Sequence, residues 1–353
     1  MFRRLACLAL LATLAVACAP VTKPARFDSS LVASEAEKQR EIALRSMAGF
    51  EQKLQAAAFP LLTGAASLCG EHTAPTLGLR FANAAAFPAE FRRAAATVHG
   101  VDETIRVLGV APRSPAETAG LKPGDQITAI NQIPAPRGDK AVERCAELLE
   151  QAMAGNKTVT LSLLRNGKPQ TLTVKPATAC AFPVLLSEAD EINAYADGEH
   201  VIITMGMMRF VEKPQELSLV IAHELAHCAM EHSLKQTGNY MVGSLFDIAV
   251  AVATGIDTGG LFGEAAAQVY SQEFEQEADY VGLYMMANAK LDIEGAANFW
   301  RRLAAAHPGG IEQSAMSSHP STPERFVGIE STVAEIRQKR TTGLPLTPTR
   351  QAE

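Results

Sequence analysis

His223-Glu224-Leu225-Ala226-His227, carried on the apolar run Leu217-Ser218-Leu219-Val220-Ile221-Ala222, decides how the rest of the chain is read. Two histidines four residues apart lie on one face of a helix, one turn apart. Their ring nitrogens can converge on one ion, and neutral imidazole is a good zinc ligand. Glu224 points about 100° round the helix from His223. It stands beside such an ion without binding it, where a base must be to take a proton from a water that the ion activates. Pro214 is placed as the first residue of this helix and Glu216 falls in its first turn, both start signals. The plainer alternative is two histidines on a core helix with an exposed glutamate.

A matching acidic segment follows about fifty residues on, Ser271-Gln272-Glu273-Phe274-Glu275-Gln276-Glu277-Ala278-Asp279-Tyr280. Glu275 and Asp279 are four apart and share a face, while Glu277 lies about 200° and Glu273 about 160° from Glu275. One pair, not all four carboxylates, can face the ion. A single carboxylate completes a two-histidine, one-glutamate set with one position left for water. Asp279 is then expected to accept a proton from a ligand imidazole and fix its orientation. A solvated acidic face accounts for Glu273 and Glu277; it accounts less well for Asp279, because Val281, Leu283 and Met285 follow. In a metzincin the third histidine stands six residues after the second, with a glycine midway. Ser233 and Met230 hold those places, which leaves His232 a structural residue. His319 is expected in a loop by its neighbours Pro320 and Pro323.

Upstream of the histidine helix, Ile192 to Gly198 precedes a strand from His200 to Gly206. This strand is expected to be the edge along which an extended substrate lies, pairing as one more strand; an ordinary core strand is the alternative. Downstream, residues 238–255 are strongly apolar but interrupted by Asp247. The run falls short of the ~20 residues a spanning helix needs. It reads as a buried or membrane-facing helix hairpin, with Gly255, Gly259, Gly260 and Gly263 as a mobile link.

Residues 75–176 form a different unit. Ser114-Pro115-Ala116-Glu117-Thr118-Ala119-Gly120-Leu121-Lys122-Pro123-Gly124-Asp125, followed by Ile127-Thr128-Ala129-Ile130-Asn131, resembles a PDZ domain of the bacterial protease-associated kind. Physically it is a short helix ended by Gly120, a tight turn at Pro123-Gly124 and an alternating strand. Val142 to Met153 reads as the second helix. Val159 to Leu164, Asn166-Gly167 and Thr171 to Val174 read as a hairpin with a two-residue turn. Leu77-Gly78-Leu79-Arg80-Phe81 is the candidate loop for cradling a peptide carboxylate, such as a C-terminus, through backbone amides. Such a groove works by adding a peptide strand to a sheet edge. A PDZ that only packs against its neighbour is the alternative. The stretch from Ala82 to Glu103 is long for one connection and leaves the first strand's position open.

At the N-terminus, Arg3 and Arg4 precede an apolar run from Leu5 to Ala17 that ends at Cys18, a secretory signal in residues 1–17. Small residues before the cysteine resemble a bacterial lipobox, which implies lipidation of Cys18; ordinary signal cleavage nearby is the rival. Residues 19–33 read as a tether. From Ser34 to about Leu68 the pattern is helical, broken or kinked at Pro60, and this stretch (34–70) is expected to belong with the later helices. Export leaves Cys69, Cys145, Cys180 and Cys228 in an oxidising compartment. Cys69 and Cys180 flank the PDZ-like unit and are expected to pair at its base, with four free thiols as the alternative. The chain has 353 residues, 47% of them hydrophobic and 20% charged, and a net charge of −6 with no basic cluster. Nothing in that balance suggests a nucleic-acid partner.

Residues 183–335 resemble the gluzincin metallopeptidases that include HtpX, BepA and the CAAX prenyl endopeptidases. The resemblance is carried by Ile192 to Gly206, His223 to His227, Glu275 to Asp279 and His319 to Arg325. It implies an α+β chain: a mainly helical zincin-type catalytic domain with a small edge-strand sheet, plus an inserted or upstream PDZ domain, and a polar tail over 336–353. It implies one Zn2+ per chain on His223, His227 and Glu275, with Glu224 as base, Asp279 behind the ligands, and His319 near the metal as oxyanion stabiliser or removable fourth ligand. Arg325 would support substrate or the His319 loop. The implied function is a metalloendopeptidase anchored in the bacterial envelope by lipid, facing the periplasm, acting on misfolded or unassembled polypeptides; the residues after Cys18 tilt the anchor towards the outer membrane. A chaperone or assembly factor with a latent metal site and a peptide-binding PDZ is the alternative.

Overall fold

The computed structural model describes residues 22, 28–238, 241, 244–245, 271–306, 319 and 322–349. The expected signal, Cys18 and the glycine link of 255–263 lie outside the described residues, as does most of the apolar run of 238–255. The two large apolar residues of that run which are described, Met241 and Leu245, are exposed. No helix among the described residues is long and apolar enough to cross a membrane.

Helix α1 (Ser29–Gly64) begins five residues before the expected start. Asp28 supplies the reason: its Oδ1 accepts from the Ser30 amide at 2.8 Å, satisfying one of the donors a helix N-terminus leaves open. Residues 29–33 of the expected tether are therefore helix. Pro60 sits inside α1 without ending it. The residues around it, Ala57, Ala58 and Leu61, are buried in the main core, and that packing carries the helix through the missing amide. Nearer its start, Leu44 of α1 packs on Ala94, Ala95 and Val101 instead. The one helix thus serves two units.

Between the end of α1 and the later helices the chain makes the PDZ-like unit. Strand β1 (Thr73–Thr76) leads to β2 (Leu79–Ala82), helix α2 (Arg92–His99), β3 (Arg106–Val110), the short α3 (Pro115–Thr118), β4 (Gln126–Ile130) and β5 (Ile133–Pro134). Then come α4 (Ala141–Met153), β6 (Val159–Arg165), β7 (Lys168–Val174) and β8 (Ala177–Cys180). The sheet order is β2-β3-β4-β6-β7, with β5 on β4, so β2 is an edge strand. Helix α2 occupies much of the long stretch after Ala82. The β6–β7 hairpin turns at Asn166 (φ 51°) and Gly167 (φ 75°), both left-handed as a two-residue turn of this hand requires. Strand β1 pairs with β8, and Cys69 is disulfide-bonded to Cys180 at the foot of that pair. Cys145 and Cys228 are free and buried. Because α1 packs with the later helices, the PDZ-like unit is inserted into the fold rather than upstream of it.

The remaining chain gives β9 (Val184–Ser187), β10 (Ala194–Ala196) and β11 (Val201–Thr204), then α5 (Met205–Phe210), α6 (Pro214–Ala229), α7 (Ser271–Asn288), α8 (Ala296–Ala306) and α9 (Pro323–Thr342). The three strands run in the order β10-β11-β9. The expectation of β11 as the edge is therefore corrected. All four of its residues are buried, and β10 and β9 flank it as the two edges. Three β-branched residues in a row at 201–203, with no polar alternation, should have pointed to a central strand.

Helices α6 and α7 cross closely. A Cβ on Gly282 would lie 3.0 Å from the Ala222 carbonyl oxygen, so the glycine sets how near the acidic helix comes to His223. Helix α9 passes the expected boundary at 335 and ends at Gly343, whose φ is 70°. The next residues stay on the core: Asn288 Nδ2 donates to the Leu346 carbonyl at 2.8 Å, and Lys339 Nζ to that of Thr347 at 2.8 Å. Up to residue 349 the expected polar tail is thus held by the fold.

Candidate metal centre

Helix α6 starts as its sequence dictates. Pro214 is its first residue, and the Glu216 carboxylate accepts from the amides of Glu212 (2.7 Å) and Lys213 (3.3 Å). From Leu217 to Ala226 every residue is buried, so His223 and Glu224 sit inside the protein rather than on a wet surface. His227 Nε2 lies 3.2 Å from His223 Nε2. Helix α7 brings Glu275 to the same point: Oε2 is 3.3 Å from His223 Nε2, and Oε1 is 3.2 Å from His227 Nε2. His319 arrives from the segment before α9, with Nδ1 3.4 Å from His223 Nε2 and 3.0 Å from Glu275 Oε1. These four can hold a metal ion. With bonds of about 2.0–2.1 Å a tetrahedral site has edges of roughly 3.3–3.4 Å, close to the spacings here. The donor chemistry fits too, since nitrogen lone pairs and a carboxylate converging on one point repel unless a cation lies between them.

Glu224 faces this centre without joining it. Its Oε1 is 3.4 Å from His319 Nε2, while Oε2 is buried with no hydrogen-bond partner among the described residues. A buried carboxylate oxygen is costly to leave unpaired, which marks the place for a water.

Behind the ligands, Asp279 Oδ1 is 3.0 Å from His223 Nδ1, poorly aligned for a hydrogen bond. Its stronger tie is to Arg325, whose Nε and Nη2 reach the two carboxylate oxygens at 2.8 and 2.9 Å. Arg325 Nη1 also lies 2.8 Å from Glu275 Oε2, and its guanidinium stacks 5.4 Å from the Trp300 ring centre. Arg325 is 4% exposed. The side chain is the buried counter-charge of two carboxylates.

These neighbours decide the charges. Burial disfavours a charge on His223, but Glu275 and Asp279 outweigh it and push its pKa up to about 10. Burial works against ionised Glu275 as well, yet His319 and His223 hold it well below the carboxylate range. Asp279 is likewise lowered, against burial, by Arg325 and His223. Burial opposes a charge on His319, which Glu224 and Glu275 raise. His227 goes the other way, lowered by burial and by its neighbour His223 in spite of Glu275. That direction favours the neutral imidazole, the form that binds a metal.

Residues 173–333 match peptidase family M48, and residues 75–175 match the PDZ domain. The stretch that holds the metal centre is thus similar to peptidase family M48. Mitochondrial metalloendopeptidase OMA1 of Schizosaccharomyces pombe is 30% identical over 151 residues, covering 41% of this chain and 44% of that protein. The beta-barrel assembly-enhancing protease of Escherichia coli is 29% identical over 153 residues, 39% of this chain and 30% of that one. Metalloprotease YcaL of Escherichia coli is 26% identical over 152 residues, 41% of this chain and 59% of that one. In each case the match spans less than two thirds of the relative.

The PDZ loop is reached from outside its own domain. Gly78 takes φ 72°, and its amide donates to Thr76 Oγ1 at 3.2 Å. Its carbonyl accepts from the Ala111 amide (2.8 Å) and from Gln55 Nε2 of α1 (3.2 Å). Leu77 is buried in the PDZ core, with Leu79 and Phe81 packed against it. Arg80 points outward, 3.8 Å from Glu51 of α1.

Sequence reasoning missed three participants. Trp300 lies 5.0 Å, ring centre to ring centre, from His223, and no spacing rule links the two. His232 and Glu277 were read as structural and solvated. His232 is buried and the Glu277 side chain is 45% exposed, and in addition His232 touches His227 while Glu277 touches His232. The sequence set His232 aside because it stands five, not six, residues after His227. In fact α6 ends at Ala229, and Glu231 takes the left-handed φ of 55°, which folds the chain back.

Proposed function

We propose that the chain is a zinc-dependent metalloendopeptidase. The observation that carries this reading is the convergence of His223, His227 and Glu275 with the buried, unpaired Glu224 oxygen beside them. Zinc is the metal favoured by two imidazoles and one carboxylate at tetrahedral spacing. When bound, it supplies Lewis-acid polarisation of a carbonyl and acidification of water. Glu224 accepts the proton of the attacking water and returns it to the leaving amine. Arg325 and Asp279 hold the ligand side chains in place from behind. An extended polypeptide is expected to pair with the free edge of β10, where Tyr195 is exposed. The PDZ domain is expected to take a second peptide segment at the β2 edge. A bacterial envelope location, with damaged or unassembled envelope proteins as substrates, rests on the N-terminal signal and on the likeness to the assembly-enhancing protease.

One observation favours a second reading. His319 Nδ1 fills the fourth corner of the ligand set, and four protein ligands are typical of a closed site. The chain would then be a chaperone-like factor whose peptidase is latent behind His319. Casein hydrolysis and zinc content, measured on the wild type, Glu224→Gln and His319→Ala, separate the two. The peptidase reading expects one zinc in each and a rate loss of about 10²–10⁴-fold in Glu224→Gln alone. Activity that arises only in His319→Ala would favour the latent site. Normal hydrolysis by Glu224→Gln would overturn the mechanism.

A further inference from the structure

We propose that His232 and Glu277 form a positioning relay that fixes which nitrogen of His227 faces the metal. The proposal rests on the metal-site reading above. Three contacts carry it. Glu277 Oε2 lies 2.8 Å from His232 Nε2, His232 Nδ1 lies 2.9 Å from His227 Nδ1, and His227 Nε2 faces the ligand cluster.

The proton positions follow in order from the carboxylate. An ionised carboxylate only accepts, so His232 must carry its proton on Nε2. A neutral imidazole has one N–H, which leaves the His232 Nδ1 with a lone pair. His227 Nδ1 faces that lone pair and must therefore be the donor. The His227 proton is thereby kept on Nδ1, and Nε2 is left bare where His223 and Glu275 converge. No ring changes its charge in this scheme. The reverse tautomer of His232 would set two N–H groups against each other at His227 and leave the carboxylate without a donor.

The relay is held rigid by packing. His232 is 3% exposed and stacks on Phe274, with ring centres 4.6 Å apart and planes 18° from parallel. Phe274 belongs to the same helix as Glu275 and Glu277, so one helix supplies a metal ligand, the end of the relay and the surface that orients its middle member. His227 has no carboxylate of its own in the position that Asp279 takes beside His223; a histidine stands there, and its own carboxylate stands one step further out.

The test compares the full chain as wild type, His232→Phe and His232→Asn. Phenylalanine keeps the ring and its stacking but offers no acceptor, whereas the asparagine Oδ1 stands near where Nδ1 stood. Zinc affinity, from competition with a chromophoric chelator, should fall about 10–100-fold in His232→Phe and be largely restored in His232→Asn. In the zinc-loaded wild type with 15N-labelled histidine, ring nitrogen shifts should report His227 protonated at Nδ1 and His232 at Nε2. A purely structural His232 would lower the stability of both variants alike and would not order their zinc affinities. The relay is overturned by wild-type affinity in His232→Phe, by His232→Asn as weak as His232→Phe, or by a proton on His232 Nδ1. A wild type that binds no zinc would instead overturn the metal site itself. Should His232→Phe fail to fold, the tautomers of the wild type still decide the matter.

Discussion

The M48 domain and the PDZ domain share helix α1 but expose different kinds of chemistry. In the M48 domain the working groups are charged side chains sunk in a core: His223, Glu224, Glu275, Asp279 and Arg325 are all 4% exposed or less, except Asp279 at 6%. In the PDZ domain the groups proposed to take a peptide are backbone groups at the β2 edge, shaped by Gly78 and by what leans on it. A buried charge must have partners, and partners impose residue types at fixed spacing. A backbone edge imposes only turn chemistry and alternation. The first kind of site breaks when one partner is removed, while the second is tuned by its supports.

The largest effect expected from this difference is at Arg325. Arg325→Met keeps much of the volume but leaves Asp279 and Glu275 buried without their counter-charge, which should cost about 3–5 kcal/mol in urea unfolding of the full chain. The pH dependence should change with it. Asp279 is lowered in the folded state, so its contribution is complete above the ordinary carboxyl pKa of about 4 and is lost as pH falls through the depressed value. The wild type should therefore lose stability in that acid window, and Arg325→Met should lose less of it. A cost under about 1 kcal/mol would mean that the carboxylates find other partners and that burial does not govern this site.

The same contrast explains what the sequence made legible. His223, His227 and Glu275 were readable because a helix turns a spacing of four into a shared face, and an ion needs several donors at one point. The PDZ unit was readable from Gly120, Pro123-Gly124 and Asn166-Gly167, positions where the backbone turns. Contacts made by a break in periodicity were not readable. His232 reaches His227 only because Glu231 leaves the helix, and Glu277 reaches His232 from the far side of α7. The order of the small sheet was misread for a related reason. Alternation and length describe a strand; the β-branched run Val201-Ile202-Ile203 was the one residue-type sign that β11 is central, and which strands flank it depends on pairings.

A middle-sized effect should come from the joint between the domains. Cys69 and Cys180 close a loop of 111 residues around the PDZ domain. Replacing both by alanine should cost about 2–5 kcal/mol. If the domains are as separable as their chemistries suggest, zinc affinity should stay at the wild-type value, measured by the same chelator competition. A parallel loss of zinc affinity would show that the base of the PDZ domain, through β8 and α1, helps set the metal helix.

The smallest effect sharpens the comparison most, because it lies where one domain touches the other's working backbone. Gln55 belongs to α1, whose next turns bury Ala58 and Leu61 against the M48 core. Its Nε2 donates to the Gly78 carbonyl at 3.2 Å, and its Oε1 would be 2.6 Å from a Cβ on Gly109, so a glycine in β3 makes room for it. Gln55→Ala should cost only about 0.5–1.5 kcal/mol, since the Gly78 carbonyl keeps its bond from Ala111. The neighbouring Glu51–Arg80 pair, at 3.8 Å and partly exposed, adds roughly 0–1 kcal/mol at most. The informative readout is binding of a fluorescent C-terminal peptide alongside zinc affinity. A support that tunes a backbone site should shift peptide affinity several-fold and leave zinc untouched. Peptide binding that ignores Gln55 would mean that the β2 edge is set by the PDZ domain alone, and that α1 joins the two domains without speaking to the loop.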